Sequence, residues 1–109
     1  MVLVSLNLAS RPSDPILVLV KLQSPPAWEL NFRATPEALM GLRSIRDADW
    51  TKRQCLHIGE SAGAPVHWAA EGETATILVG HDEETWDIAV TMPIATVETI
   101  VTDTAARSW

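Results

Sequence analysis

The chain has 109 residues, 47% hydrophobic and 20% charged, enough to bury one core and too apolar to stay disordered. Fourteen acidic against eight basic side chains give a net charge of -6, which disfavours non-specific binding to nucleic acid or anionic lipid. One cysteine excludes an internal disulfide framework, while 5 Gly and 7 Pro exclude collagen-like and low-complexity classes.

In chain order, Val2, Val4, Leu6 and Leu8 alternate with Ser5 and Asn7, which predicts a half-buried strand. Arg11 to Pro15 reads as a turn. Ile16 to Leu22 starts apolar on both faces, as a central strand does. Pro25 and Pro26 break that ladder because proline offers no donor. Trp28, Leu30 and Phe32 then alternate with Glu29, Asn31 and Arg33 in a third strand. The longest apolar run, Ile16 to Val20, falls far short of the roughly 20 residues a membrane span needs. The N-terminal segment also lacks the basic start of a secretion signal, so a cytoplasmic protein is expected.

A helix follows. Thr35 can cap it, Pro36 suits its first position, and Leu39, Leu42 and Ile45 recur at helical spacing. It should fade between Asp47 and Trp50, with Trp50 tucked under its end.

The second half reads as an antiparallel meander with strands near 54–59, 65–70, 73–79 and 85–91. A turn centred on Ala62 pairs Leu56 with Trp68, His57 with His67 and Ile58 with Val66. A Glu71-Gly72 turn would set Trp68 opposite Ala75 and Val66 opposite Ile77. A loop over Gly80 to Thr85 would set Val79 opposite Trp86, Ile77 opposite Ile88 and Ala75 opposite Val90. These registers gather the large apolar residues on one face. Trp28, Trp68 and Trp86 are then core residues. Pro93 opens a last helix with the stripe Ile94, Val97, Ile100 and Val101, and the tail from Ala105 to Trp109 is expected to fray. The result is one α+β domain over 1–109, with an antiparallel sheet of about seven strands and two helices.

Gly59-Glu60-Ser61-Ala62-Gly63 matches the G-x-S-x-G elbow of carboxylesterases. That elbow needs a strand-to-helix turn and a downstream acid and His. Here Pro65 to Trp68 continue as strand, and no His follows His81, so the segment reads as a hairpin turn and Ser61 is not a nucleophile. A small hydrolase, using either Ser61 or a metal site of Cys55, His57 and His67, is the enzymatic alternative. Cys55, His57 and His67 share one face and could approach a metal, but a fourth ligand is missing. No metal or other cofactor is expected.

Charge is the informative feature. Residues 1–53 carry seven cations and five anions, or +2, whereas 54–109 carry Arg107 against nine anions, or -8. The meander places Glu60, His81, Asp82, Glu83 and Glu84 at one end of the sheet, with Glu71 and Glu73 at the other. Arg43, Arg46, Lys52 and Arg53 form the basic cluster, balanced locally by Asp47 and Asp49. The acidic end predicts a docking site for a basic partner surface, the profile of immunity proteins, antitoxins and similar inhibitors. Strand Val2 to Leu8 also offers an edge to a second copy, which would make a homodimer.

Trp28-Glu29-Leu30 before Pro36 echoes Trp86-Asp87-Ile88 before Pro93, which suggests two strand-and-helix halves. That inferred layout resembles the PUR and Whirly single-strand nucleic-acid binders. The resemblance implies a nucleic-acid role that the net charge opposes.

Overall fold

The computed structural model describes residues 2–9, 16–49, 52, 54–82 and 85–109. Seven strands pair strictly in sequence order: β1 Leu3–Leu8, β2 Val18–Ser24, β3 Trp28–Ala34, β4 Leu56–Ser61, β5 Ala64–Glu71, β6 Thr74–Asp82 and β7 Thr85–Pro93. Every neighbouring pair is antiparallel. Helix α1 (Pro36–Met40) and a 3-10 helix (Gly41–Asp47) connect β3 to β4, and α2 (Ile94–Ala105) follows β7. No helix among the described residues is long and apolar enough to cross a membrane.

The helices pack on one another and against one sheet face, because only one face is apolar throughout. Val18, Val20, Leu22, Leu30, Phe32, Val66, Trp68 and Ile77 supply that face; Leu39, Leu42, Ile45, Ile94, Val97 and Ile100 answer from the helices. Trp68 is fully buried, meets Phe32 edge-on at 5.4 Å, and donates from Nε1 to the Ile58 carbonyl at 2.8 Å. Its polar atom is thereby satisfied inside the core.

Thr35 caps α1 by accepting from the Ala38 amide at 3.1 Å, with Pro36 in the first turn. The expected single helix becomes α-helical for only five residues and 3-10 for the next seven. Leu39, Leu42, Ile45 and Ala48 recur every third residue, the period at which a 3-10 helix stacks its side chains, and all four are buried. Ala48 then accepts from the Ala70 amide at 2.7 Å, which ties the helix end to β5.

The registers depart from expectation in an orderly way. Leu56 faces Trp68 and His57 faces His67, while Val66 faces a bulge formed by Ile58 and Gly59. Trp68 pairs with Ile77 rather than Ala75, and Val66 with Val79 rather than Ile77. The turn is Gly72-Glu73, one residue later than Glu71-Gly72, so the partner shifts by two. Ile77 likewise pairs with Val90, Val79 with Ile88 and Ala75 with Met92. Side chains alternate with period two, so both slips keep the same residues on the core face.

Trp86 breaks this pattern. A second irregularity near Gly80 sets Gly80 opposite Trp86, and the indole lies over the outer face beside Leu78 and Ala89. Trp86 is 42% exposed and is not a core residue. Trp28 is half-buried against the core, so the two halves of the sequence echo use their tryptophans differently. Trp50 lies outside the described residues.

Helix α2 presents Ile94, Val97 and Ile100 inward, with Val101 half-buried. The tail is tied down rather than frayed. The Arg107 Nη1 donates to the Leu6 carbonyl at 2.6 Å, Trp109 donates to the Thr104 carbonyl at 3.1 Å, and its ring packs against the core.

Candidate docking surface on the acidic half

The sheet divides at β3 and β4, which share one residue pair in register, Arg33 with Glu60. Two devices hold that seam. Gly59 adopts φ +96°, and a Cβ there would meet the Phe32 ring at 2.7 Å, so only glycine lets β4 approach this closely. The Ser61 hydroxyl donates to the Asn31 carbonyl at 2.7 Å. Ala62 (φ 50°) and Gly63 (φ 83°) form the two-residue turn into β5, closed by Ser61 opposite Ala64. Left-handed values at both central positions are those of the hairpin turn whose twist matches the strands. The Gly59–Gly63 segment is thus strand, bulge and turn, and its serine bonds to backbone.

Below the seam lies an open groove of about 440 Å³, lined by Arg33, Thr35, Ala38, His57, Glu60 and neighbouring backbone. His57 and His67 place their rings 5.2 Å apart across β4 and β5. Among the described residues, no group of three or more His, Cys, Asp or Glu is placed to hold a metal.

Strands β4 and β6 run in the same direction, so their C-terminal ends lie at one end of the sheet with β5 between them. That arrangement separates Glu60 from the end of β6 by two strand spacings, about 10 Å. Glu60 is exposed and stands opposite Arg33, so a cation does interleave with the acidic end. His81 is exposed in β6, and Asp82 closes β6 opposite Thr85. Glu83 and Glu84 lie outside the described residues.

At the opposite end one cation bridges the two halves. Arg46 grips Glu73 with both terminal nitrogens, at 2.8 and 3.1 Å, and reaches Glu98 at 3.3 Å. The bond to Arg46 holds the Glu73 carboxyl below its ordinary range, and the same contact raises the Arg46 guanidinium. The basic cluster therefore spends Arg46 on distant carboxylates rather than on Asp47 or Asp49. On β3, hydrogen bonding from Asn31 lowers Glu29, with Lys21 and Gln23 assisting.

Sequence reasoning missed the exposed apolar pair on β7. Ile88 shares Val79's face yet is 46% exposed, and Trp86 sits on the other face over a groove of about 360 Å³ floored by Ala69 and Leu78. Asp87 between them is exposed. Gly80 inside a strand was the available signal, because an interior glycine marks a bulge and a bulge reverses a side chain.

Comparison of the chain with protein-family models, curated proteins and solved structures gives no significant match.

Proposed function

We propose that the chain is a non-enzymatic interaction domain of the cytoplasm whose acidic C-terminal half binds a basic protein surface. The carrying observation is the exposed pair Trp86 and Ile88 flanking Asp87 on β7. An indole that is 42% exposed on a sheet face can serve as an anchor, and aromatic anchors dominate binding energy at interfaces. The excess of -8 in residues 54–109 supplies the steering field for a cationic partner. Glu60 and Asp82 add to that field from the adjoining end of the sheet, with His81 beside them, and Glu83 and Glu84 follow Asp82 in the chain. Small acidic inhibitors of the immunity-protein and antitoxin kind share this charge profile.

The test is affinity selection with immobilised protein at low and high salt. A basic partner retained at low salt, released at high salt, and lost after Asp82→Lys, Glu83→Lys and Glu84→Lys together is the expected result. Retention indifferent to salt and to that triple reversal would overturn the reading.

A further inference from the structure

Among the described residues, only β1 and β7 lack a neighbour on one side, and their open edges differ. Antiparallel residues alternate between turning their backbone groups toward the partner strand and away from it. On β1, Ala9 donates to the Leu17 carbonyl at 2.8 Å, one step beyond the Leu8–Val18 pair. That bond sets the phase: Val4, Leu6 and Leu8 turn their backbone groups outward. The outward Leu6 carbonyl is the group that Arg107 occupies. The chain thus occupies the middle of this edge itself, at the Leu6 carbonyl.

On β7, Ile94 donates to the Glu73 carbonyl at 2.9 Å, continuing the Thr74–Pro93 register. Ile88, Val90 and Met92 therefore bond to β6, and Ala89, Thr91 and Pro93 face outward. Pro93 agrees with this phase, since a residue without an N–H belongs on the open side of an edge strand. Ala89 and Thr91 each present a donor and an acceptor to that side. Exposed edges of this kind are templates for another strand.

We infer that β7 takes an extended, basic segment of the partner as an eighth strand, a mode of binding that rests on the proposed function. Such a strand would pair with Ala89 and Thr91, and its alternate side chains would cover Trp86 on one face and Ile88 on the other. Charge selects the occupant. No Lys or Arg occurs between Gln54 and Ala106, Asp87 is exposed on this strand, and Asp82, Glu83 and Glu84 precede it in the chain. A segment alternating Lys or Arg with branched apolar residues complements both features. A second copy of this chain would bring a further -6 instead.

The probe is a fluorescein-labelled peptide alternating Lys and Val, with one version N-methylated at alternate amides, followed by anisotropy. Saturable binding of the plain peptide is expected, weakened about tenfold by either Ala89→Pro or Thr91→Pro, each of which removes an outward donor. Val4→Pro, the equivalent change on β1, should leave affinity unchanged. Should a proline variant fail to fold, the N-methylated peptide asks the same question of the unaltered protein. Equal binding by plain and N-methylated peptides, or no binding at all, would overturn strand addition. So would a dimer of the chain that Ala89→Pro dissociates. Salt-sensitive binding lost on charge reversal of 82–84 but indifferent to Ala89→Pro would overturn the strand and leave the acidic docking reading standing. Binding lost on Ala89→Pro but indifferent to salt and to charge reversal of 82–84 would overturn the acidic docking reading and, with it, the basic occupant inferred here.

Discussion

The sub-sheets on either side of the β3–β4 seam are built differently. Strands β1 to β3 form uninterrupted ladders and belong to the half with net charge +2; β4 to β7 lose register at two places, Ile58–Gly59 and around Gly80, and belong to the half with -8. The regular side sets Lys21, Glu29, Asn31 and Arg33 on the outer face, with Gln23 and Asn31 bonded to Glu29, and leaves Leu3 and Leu8 of its edge strand exposed. The irregular side uses one bulge to join its neighbour and the other to turn a tryptophan outward. Regularity serves the core here, and each departure from it places a particular residue.

Removing the contact that spans both sub-sheets should do most damage. Trp68→Ala is expected to cost about 3–5 kcal/mol in denaturant unfolding, since it empties a fully buried site, strips Phe32 of its edge contact and orphans the Ile58 carbonyl. Trp68→Phe, which keeps a ring and loses the donor, should fall between that variant and the parent. Gly59→Ala should cost about 1–3 kcal/mol, from the positive φ and the collision with Phe32. Gly63→Ala, also at positive φ but in open space, should cost about 1 kcal/mol. Comparing the two separates close approach from backbone strain. Ser61→Ala should lose about 1 kcal/mol with the bond to Asn31.

The smallest effect belongs to Arg46 and Glu73, which link the oppositely charged halves at the surface. Arg46 lowers the folded-state pKa of Glu73 below its ordinary value of 4.5. The stabilisation is therefore fully present above the unfolded pKa and is lost as pH falls through the lowered one. Glu73→Gln should flatten the acid limb of the stability profile slightly, and added salt should erase the difference.

The seven antiparallel strands and both helix starts were legible in the chain because alternation, Pro36, Thr35 and Pro93 are local signals. Core membership survived two wrong turn assignments, since Trp68, Val66 and Ile77 moved by an even number of positions. Trp86 was misread because the step at Gly80 changes parity, and hydrophobicity carries no record of such a step beyond the glycine itself. The 3-10 helix was hidden in plain spacing: Leu39, Leu42 and Ile45 fit both helical periods over so short a run, and Ala48 is what separates them. The ion pair of Arg46 with Glu73 and the strand register that sets Arg33 opposite Glu60 each join residues 27 apart. Counting charges along the chain could not reveal either.

The Arg107–Leu6 bond joins residues 101 positions apart, so the last turn of chain holds down the first strand. A terminal strand on a sheet edge would ordinarily be the first segment to open in native-state hydrogen exchange. Here the amides of β1 that face β2 should exchange together with those of α2, because neither segment can leave without releasing the other. Early and late stretches of the chain then open as one cooperative unit.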